Sequence, residues 1–167
     1  IVSISVRNLG QTGFVSLIGI ETTTFVNDGT IGLSDGVDLR GALSIDSVVL
    51  GVDDVVTPEF VSVINNGEFI ATRDDPEADP ITLIDVEAYT SLTIENYGTI
   101  SLSGIGNEVI GSGGISAAGQ GDVSILNEGL IDVDGQGISF GLSQRPTGGI
   151  ILPPNEAVGS VTIRNGE

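Results

Sequence analysis

The sequence predicts an all-β chain that folds as a parallel β-helix, a solenoid with irregular loop insertions, in a single domain over residues 1–167. Two observations predict this fold class. One phrase recurs along the chain: an alternating apolar strand, an Asn, a Gly two residues later and a second alternating strand. In addition, no segment shows the sustained apolar spacing of a helix. A strand–turn–strand unit that cannot bury its own face has to stack on its neighbours, so the repetition indicates a solenoid.

The repeated phrase is clearest in the middle of the chain. It reads VSVINNGEFIA at Val61–Ala71, LTIENYGTISL at Leu92–Leu102 and VSILNEGLIDV at Val123–Val133. Looser copies surround Asn8 and Asn27, and a shorter copy, VTIRNGE, closes the sequence. Each copy predicts one strand before the Asn and one strand after the Gly.

Apolar residues alternate on both sides of each Asn-x-Gly corner. The residues four before the Asn are Ile4, Thr23, Val61, Leu92, Val123 and Val161, and those two before it are Val6, Phe25, Val63, Ile94, Ile125 and Ile163. The residues four after the Asn are Thr12, Ile31, Phe69, Ile100 and Ile131. A period of two predicts strands with one buried face. Thr12 and Thr23 are the exceptions, so the first two copies are degraded.

The spacing of the Asn residues gives the size of one coil. Successive intervals from Asn8 to the last repeat Asn are 19, 38, 31, 31 and 38 residues. A meander of hairpins would not return to the same phrase after such an excursion, whereas stacked coils would. At about 4.8 Å per coil the rod is roughly 25 to 35 Å long. The interval between Asn27 and Asn65 is either one coil or two short coils, with Leu43–Ile45 and Val48–Leu50 supplying strands.

The repeated Asn and Gly residues are expected to be structural. Both residue types tolerate left-handed backbone angles and therefore mark corners. Stacked Asn side chains also hydrogen-bond in a ladder along the coil axis. The predicted structural ladder consists of Asn27, Asn65, Asn96 and Asn127 with Gly29, Gly67, Gly98 and Gly129.

Two copies of the phrase resemble a known family. ENYGTISLSG (Glu95–Gly104) and NEGLIDVDG (Asn127–Gly135) are similar to the degenerate repeats in passenger regions of bacterial autotransporters and in haemagglutinin-like adhesins. The resemblance covers about two thirds of the chain. It implies a right-handed parallel β-helix that is secreted or displayed on a bacterial cell surface. The stretches Gly51–Phe60, Arg73–Pro80 and Ser143–Pro154 depart from the repeat.

Composition narrows the function classes. The chain has 23 Asp and Glu residues against five Arg and no Lys, and its net charge is -18. Such a charge repels phosphate backbones and anionic bilayers, so neither nucleic acid nor a membrane surface is an expected partner. No apolar run is long enough to span a bilayer. The absence of Cys excludes disulfides within this chain.

The residue types also limit catalysis. Without His, Cys or Lys the chain cannot form a Ser-His-Asp triad, a Schiff base or a zinc site of the usual ligands. Paired carboxylates can act on glycosidic bonds, and Asp53–Asp54 and Asp74–Asp75 are the adjacent pairs. Neighbours on a strand point to opposite faces, which disfavours joint action by such pairs. We expect no enzyme, with a polysaccharide-acting β-helix as an alternative.

The segment Arg73–Pro80 is the best candidate for a discrete metal site. It carries Asp74, Asp75, Glu77 and Asp79 on a Pro-bounded loop between strands. Clustered oxygen ligands in a flexible loop suit Ca²⁺. The spacing does not match an EF-hand. A solvated acidic turn is the alternative and is favoured, so no cofactor is expected apart from this possible calcium ion.

These observations together predict a non-catalytic bacterial cell-surface or extracellular protein with a structural or adhesive role. Its partner would be a host or cell-surface glycan or protein, bound through the irregular segments Val37–Phe60, Arg73–Pro80 and Ser143–Pro154. The chain shows no polar cap at either end, so it is expected to be a fragment or an open-ended subunit of a longer stack. The alternative function is therefore an extracellular filament or matrix subunit that stacks head to tail on itself.

Overall fold

The architecture is that of a parallel β-helix. The computed structural model describes residues 3–18, 21–33, 42–46, 48–49, 55–56, 58–72, 82–103, 113–119, 121–133, 136–141 and 160–166. This part of the chain forms 18 strands and no helix. Three sheets of parallel strands contain all but one short antiparallel pair. The predicted all-β class and the parallel β-helix are confirmed.

The first sheet contains the strand that precedes the repeat Asn in every copy. Its strands, in stacking order, are β1 (Ser3–Asn8), β4 (Thr22–Asn27), β9 (Phe60–Asn65), β12 (Ser91–Asn96), β15 (Asp122–Asn127) and β18 (Val161–Asn165). All neighbours pair in parallel, and the register places each repeat Asn directly beside the next. The repeated phrase therefore sets the register of the whole sheet.

The second and third sheets complete each coil. The second sheet stacks β2 (Gln11–Thr12), β5 (Thr30–Leu33), β10 (Glu68–Thr72), β13 (Thr99–Ser103) and β16 (Leu130–Val133). The third sheet stacks β3 (Val15–Ile18), β6 (Leu43–Asp46), β11 (Thr82–Ala88), β14 (Gly113–Gly119) and β17 (Gln136–Gly141). The chain passes through the first, second and third sheets in turn and then returns to the first.

The long interval between Asn27 and Asn65 is one coil. Strands β4 and β9 pair directly over six residues, so no further coil separates them. Leu43 and Ile45 lie in β6 of the third sheet, which is the ordinary third strand of the coil. The strand β7 (Val48–Val49) pairs antiparallel with β8 (Val55–Val56) and belongs to none of the three sheets. The alternative of two short coils is wrong, because the extra residues form an insertion.

The core consists of the side chains that alternate inward on the three sheets. Phe25, Val63, Ile94 and Ile125 form one column of the first sheet, and each is at most 1 % exposed. Burial of a large apolar side chain contributes about 1.5 to 3 kcal/mol. The buried apolar residues form a single cluster that also includes Ile31, Leu43, Ile45, Phe69, Ile84, Val86, Leu92, Ile100, Leu102 and Ile115.

Thr23 is a polar residue in an apolar column. It lies between Ile4 and Val61 in the first sheet, and its side chain is fully buried. Its Oγ1 atom has no hydrogen-bond partner among the described residues. The degraded second copy of the phrase thus carries an unsatisfied hydroxyl into the core, which is unfavourable for stability.

The outer faces of the sheets differ in exposure. On the third sheet Ser44, Leu83 and Glu87 alternate with the core residues, yet their exposed fractions are only 7 %, 0 % and 9 %. On the first sheet every outward side chain that the structure describes is exposed or half-buried. The first sheet therefore presents an open face, as the second sheet also does.

Candidate functional site: a buried asparagine ladder

Six Asn side chains form a hydrogen-bonded ladder at the corner between the first and second sheets. The Nδ2 of each Asn but the last donates to the Oδ1 of the Asn in the next coil. The Nδ2–Oδ1 distances are 2.8 Å for Asn8 to Asn27, 2.8 Å for Asn27 to Asn65, 2.7 Å for Asn65 to Asn96, 2.6 Å for Asn96 to Asn127 and 2.6 Å for Asn127 to Asn165. The predicted four-residue ladder is thus longer by one rung at each end.

Backbone carbonyls fix the direction of the ladder. The Nδ2 of Asn27 also donates to the carbonyl oxygen of Glu68, at 3.2 Å, and the Nδ2 of Asn96 lies 3.4 Å from that of Leu130. A carbonyl oxygen only accepts, so the amide nitrogen has to face it. On the other side the Oδ1 of Asn27 accepts from the backbone N–H of Gly29 at 3.3 Å. All rungs consequently point the same way along the axis.

The main chain at the corner repeats the same pattern. The carbonyl oxygen of Asn65 accepts from the N–H groups of Tyr97 and Gly98 at 2.7 and 3.0 Å. The carbonyl oxygen of Asn27 accepts from Asn66 and Gly67 of the next coil at 2.8 and 3.0 Å. Because side chain and main chain are both satisfied, the amides are buried without the cost of an unpaired polar group. Asn27, Asn65 and Asn96 are fully buried, and Asn127 is 6 % exposed.

The glycine beside the ladder is required for space. A Cβ on Gly67 would lie 2.0 Å from the carbonyl oxygen of Gly29, and one on Gly98 would lie 1.9 Å from that of Gly67. Equivalent distances at Gly29 and Gly129 are each 2.1 Å. None of these four glycines has a backbone φ in the left-handed region. The left-handed corner expected at these four glycines is wrong, and the reason for glycine is that the coils approach too closely for a side chain.

Charged and polar side chains lie on the outer surface of the same corner. Asp28 accepts from the Nδ2 of Asn66 at 2.8 Å and pairs with Arg7. These two contacts, that of Asn66 first, hold the pKa of the Asp28 carboxyl below its usual range. One coil further on, the Tyr97 hydroxyl donates to Glu95 at 3.1 Å, which raises the pKa of Tyr97.

The predicted acidic sites fall on other parts of the chain. Asp53, Asp54 and the four residues Asp74, Asp75, Glu77 and Asp79 lie outside the described residues, as does Ser143–Pro154. Among the residues that the structure does describe, no three Asp, Glu, His or Cys side chains are grouped to hold a metal ion. Within the same residues, no helix is long and apolar enough to cross a bilayer. The calcium loop and the paired carboxylates stay predictions.

Two features of the repeat were missed by the reasoning from sequence. Gly121 meets Thr90 of the preceding coil, where a Cβ would lie 1.9 Å from the carbonyl oxygen of Thr90. The residue three before the repeat Asn is Ser or Thr in all six copies, and it projects from the open face of the first sheet. The Ser or Thr at this position is visible in all six copies of the sequence, but a search for alternating apolar residues does not detect it.

The ladder defines a class of protein: a parallel β-helix whose repeated residues support the coil. Comparisons with protein-family models, with curated proteins and with solved structures found no match to this chain. A ladder of neutral, mutually satisfied amides offers neither a nucleophile nor a titrating group. What the arrangement can do chemically is hold the strands in register.

Proposed function

We propose that the chain is a non-catalytic structural and adhesive element of the bacterial cell surface or the extracellular medium. The observation that carries this proposal is the ladder itself, since the residue repeated in every coil bonds only to equivalent residues and to the backbone. In a catalyst, by contrast, the distinctive residues converge on one reacting centre. The resemblance to autotransporter passenger repeats supports the extracellular setting.

The ladder gives the stack a fixed register, which suits a scaffold. Buried polar residues commonly specify one alignment where apolar packing alone allows several. A strand that slipped by one residue would turn its Asn to solvent and its neighbour into the core. Because Asn65 bonds to both Asn27 and Asn96, the slip would break two hydrogen bonds at once. The outer surface of the stack is therefore held in a defined arrangement for a partner.

An adhesion experiment tests this function directly. Purified chain coupled to beads should retain the beads on bacterial or host cell layers, or on extracellular matrix, in a saturable manner that soluble chain competes away. The same preparation, incubated with a panel of polysaccharides, should release no reducing ends. Release of reducing ends, or the failure of beads to adhere to every surface, would overturn the proposal.

Loop-shortened variants locate the adhesive surface. The irregular segments Val37–Phe60, Arg73–Pro80 and Ser143–Pro154 are tested first as the location of binding specificity. Arg73–Pro80, Ser143–Pro154 and, within the first segment, residues 47–57 are each replaced in turn by a short Gly-Ser connection, which leaves strand β6 in place. Circular dichroism and the midpoint of thermal unfolding verify that each variant keeps the β-helix. Loss of adhesion in one folded variant would assign the partner to that loop, while adhesion that survives all three replacements would assign it to the sheet faces.

A second candidate, a head-to-tail filament subunit, is favoured by the direction of the ladder. Within the described part of the chain, the Oδ1 of Asn8 accepts only from Gly10, whereas the Oδ1 of Asn27 accepts from Gly29 and from Asn8. At the opposite end the Nδ2 of Asn165 donates to no group that the structure describes. The ladder therefore runs in one direction, and a coil of a second copy stacked in the same orientation would extend it by the same Asn–Asn bond.

Electron microscopy across a concentration series separates the two candidates. Fibres that lengthen with concentration, and that are lost in Asn8→Leu but kept in the control Asn66→Leu on the side of the stack, would support the filament. Single short rods at every concentration would exclude it. Repeating the series with calcium and with chelator tests the loop of Asp74, Asp75, Glu77 and Asp79, because a structural ion would make the assembly or its stability calcium-dependent.

A further inference from the structure

We infer that the open face of the first sheet binds an extended neutral polysaccharide along a column of hydroxyl side chains. This hydroxyl column consists of Ser5, Thr24, Ser62, Thr93, Ser124 and Thr162. The register places each of them directly beside the next on adjacent parallel strands. The inference rests on the proposed adhesive function and names its ligand class and its site.

The hydroxyls of the column are available to a ligand. Ser5, Ser124 and Thr162 are exposed, and the other three are half-buried. Among the residues that the structure describes, none of the six hydroxyls hydrogen-bonds to another protein group, whereas the inner Asn residues on the opposite side of the same strands are bonded on both sides. Each Ser or Thr hydroxyl offers one donor and two acceptor lone pairs, so the column can bond to a ligand hydroxyl in either direction.

The column is specific to one face. The equivalent outward position on the second sheet holds Thr30, Glu68, Thr99 and Leu130, which differ in charge and polarity from coil to coil. On the third sheet the register aligns Ser16, Ser44, Asp85, Ser116 and Ser139, so a serine column there is interrupted by a carboxylate, and Ser44 is only 7 % exposed. Among the described strands, an uninterrupted hydroxyl column is therefore found on the first sheet.

Charge selects a neutral ligand. The column carries no ionisable group, and the net charge of the chain is -18, which disfavours an anionic polymer. Two residues further along the strands, the register aligns Arg7, Val26, Ile64, Glu95, Leu126 and Arg164, so apolar and charged side chains share this neighbouring column. Polysaccharides combine ring faces rich in C–H groups with hydroxyl edges, so the half-buried Val26, Ile64 and Leu126 can contact a ring face while the hydroxyl column bonds to its edge.

The shape of the site is linear. Six strands at about 4.8 Å give a column of about 24 Å, which suits a polymer lying along the coil axis rather than a compact ligand. At one end of the column an open depression of about 380 Å³ is lined by Thr93, Glu95, Ser124, Leu126, Thr162 and Arg164. One end of the polysaccharide would bind in this depression, where Glu95 and Arg164 supply additional hydrogen-bonding groups.

Titration calorimetry with defined oligosaccharides tests the inference. The probes are neutral hexasaccharides of linear glucan, chitin and mannan type, the corresponding disaccharides, and an oligogalacturonate as the anionic comparison. We expect at least one neutral hexasaccharide to bind with Kd below 1 mM, its disaccharide to bind at least tenfold more weakly, and the oligogalacturonate not to bind.

Matched variants assign the binding to the column. Thr93→Val combined with Ser124→Ala should weaken hexasaccharide binding at least tenfold, because two ligand hydroxyls lose their partners. The control Thr99→Val combined with Ser101→Ala makes the same chemical change on β13 of the second sheet and should leave binding unchanged. Circular dichroism and thermal unfolding confirm that both variants fold as the parent chain does.

Other outcomes overturn the inference without touching the broader function. If no neutral hexasaccharide binds below 1 mM while beads still adhere to cells, the adhesive role stands and the hydroxyl column is not its site. If both double variants bind equally, the sugar lies elsewhere. If the chain binds no sugar but shapes ice crystals, and Thr93→Val with Ser124→Ala abolishes that effect, the column recognises a water lattice and the polysaccharide assignment fails.

Discussion

The central rung of the ladder provides the sharpest test of how this fold is held together. In Asn65→Ala the amide that joins Asn27 to Asn96 is removed. The variant loses the bond from Asn27 Nδ2, at 2.8 Å, and the bond to Asn96 Oδ1, at 2.7 Å. Asn27 Nδ2 keeps the carbonyl oxygen of Glu68, but Asn96 Oδ1 is left without a described donor. The Asn96 side of the gap is thus left with an unpaired polar atom, whereas the Asn27 side is not.

The magnitude follows from these contacts. Two short hydrogen bonds contribute about 1 kcal/mol each, and one buried oxygen left unpaired costs about 1 to 3 kcal/mol. We therefore expect Asn65→Ala to lower the free energy of unfolding by about 3 to 5 kcal/mol. The end rung provides the control: Asn8→Ala removes the 2.8 Å bond to Asn27 and two longer contacts with Gly10, of 3.3 Å each, at a half-buried position. Asn27 Oδ1 keeps its bond from Gly29, so the cost should be about 1 kcal/mol.

Urea unfolding followed by circular dichroism measures the difference. With a slope of about 2 kcal/mol per molar urea, the midpoint of Asn65→Ala should fall by roughly 1.5 to 2.5 M and that of Asn8→Ala by about 0.5 M. If the two variants lose equal stability, or if Asn65→Ala loses less than about 1 kcal/mol, the ladder does not stabilise the stack through its bonds and the reasoning is refuted.

The variant Asn65→Asp tests through pH whether the ladder needs a hydrogen-bond donor at its centre. A protonated carboxyl can donate to Asn96 as the amide does, whereas the carboxylate would face that oxygen with no donor. Burial raises the pKa of this carboxyl in the folded state above its unfolded value of about 3.9. Its stability relative to the parent chain should therefore be greatest below about pH 4 and fall as pH rises. A constant difference across the titration would contradict the burial of this position and its need for a donor.

Three further predictions concern the glycine column, the core and the corner. Gly98→Ala should prevent folding or cost several kcal/mol, whereas Gly10→Ala, which meets nothing within 4 Å, should change the midpoint of thermal unfolding little. Thr23→Val should raise the free energy of unfolding by about 1 to 2 kcal/mol in urea titrations, because it removes an unpaired buried hydroxyl; destabilisation would contradict this. The pKa of Asp28 is lowered by its bond from Asn66 and by a neighbouring arginine, so the stabilisation by its carboxylate is present at neutral pH and is lost as pH falls through the folded pKa. In Asp28→Asn the free energy of unfolding should therefore fall less steeply at acid pH. An unchanged dependence at acid pH would exclude this stabilisation.

The fold could be predicted because the repeat imposes one environment on equivalent positions. Val63 and Ile94 occupy the same place relative to their Asn, and the structure stacks them in register in the core. Period-two alternation on both sides of the corner therefore identifies strands, buried faces and pairing partners together. Even the exception is informative, since Thr23 is buried with its apolar column although its hydroxyl has no partner.

The remaining features depend on information that spacing does not carry. A 38-residue interval does not reveal whether the additional residues wind into a second coil or protrude, and here Val48–Val49 pairs antiparallel in an insertion. The reason for the glycines was also hidden, because the contact at Gly98 is with the backbone of another coil. The partners of such a contact become visible only when the coils are stacked.

The two columns of the first sheet are linked by strand geometry. In each copy the hydroxyl residue lies three positions before the Asn, so the two side chains project from opposite faces of the same strand. A buried amide in place of an apolar residue does not maximise stability, but it specifies register. Any slip that exposed Asn96 would also displace Thr93 from its neighbours Ser62 and Ser124. The ladder inside the corner is therefore what keeps the outer hydroxyls in line, so a variant that loosens it should weaken binding along the open face without altering any residue that touches the ligand.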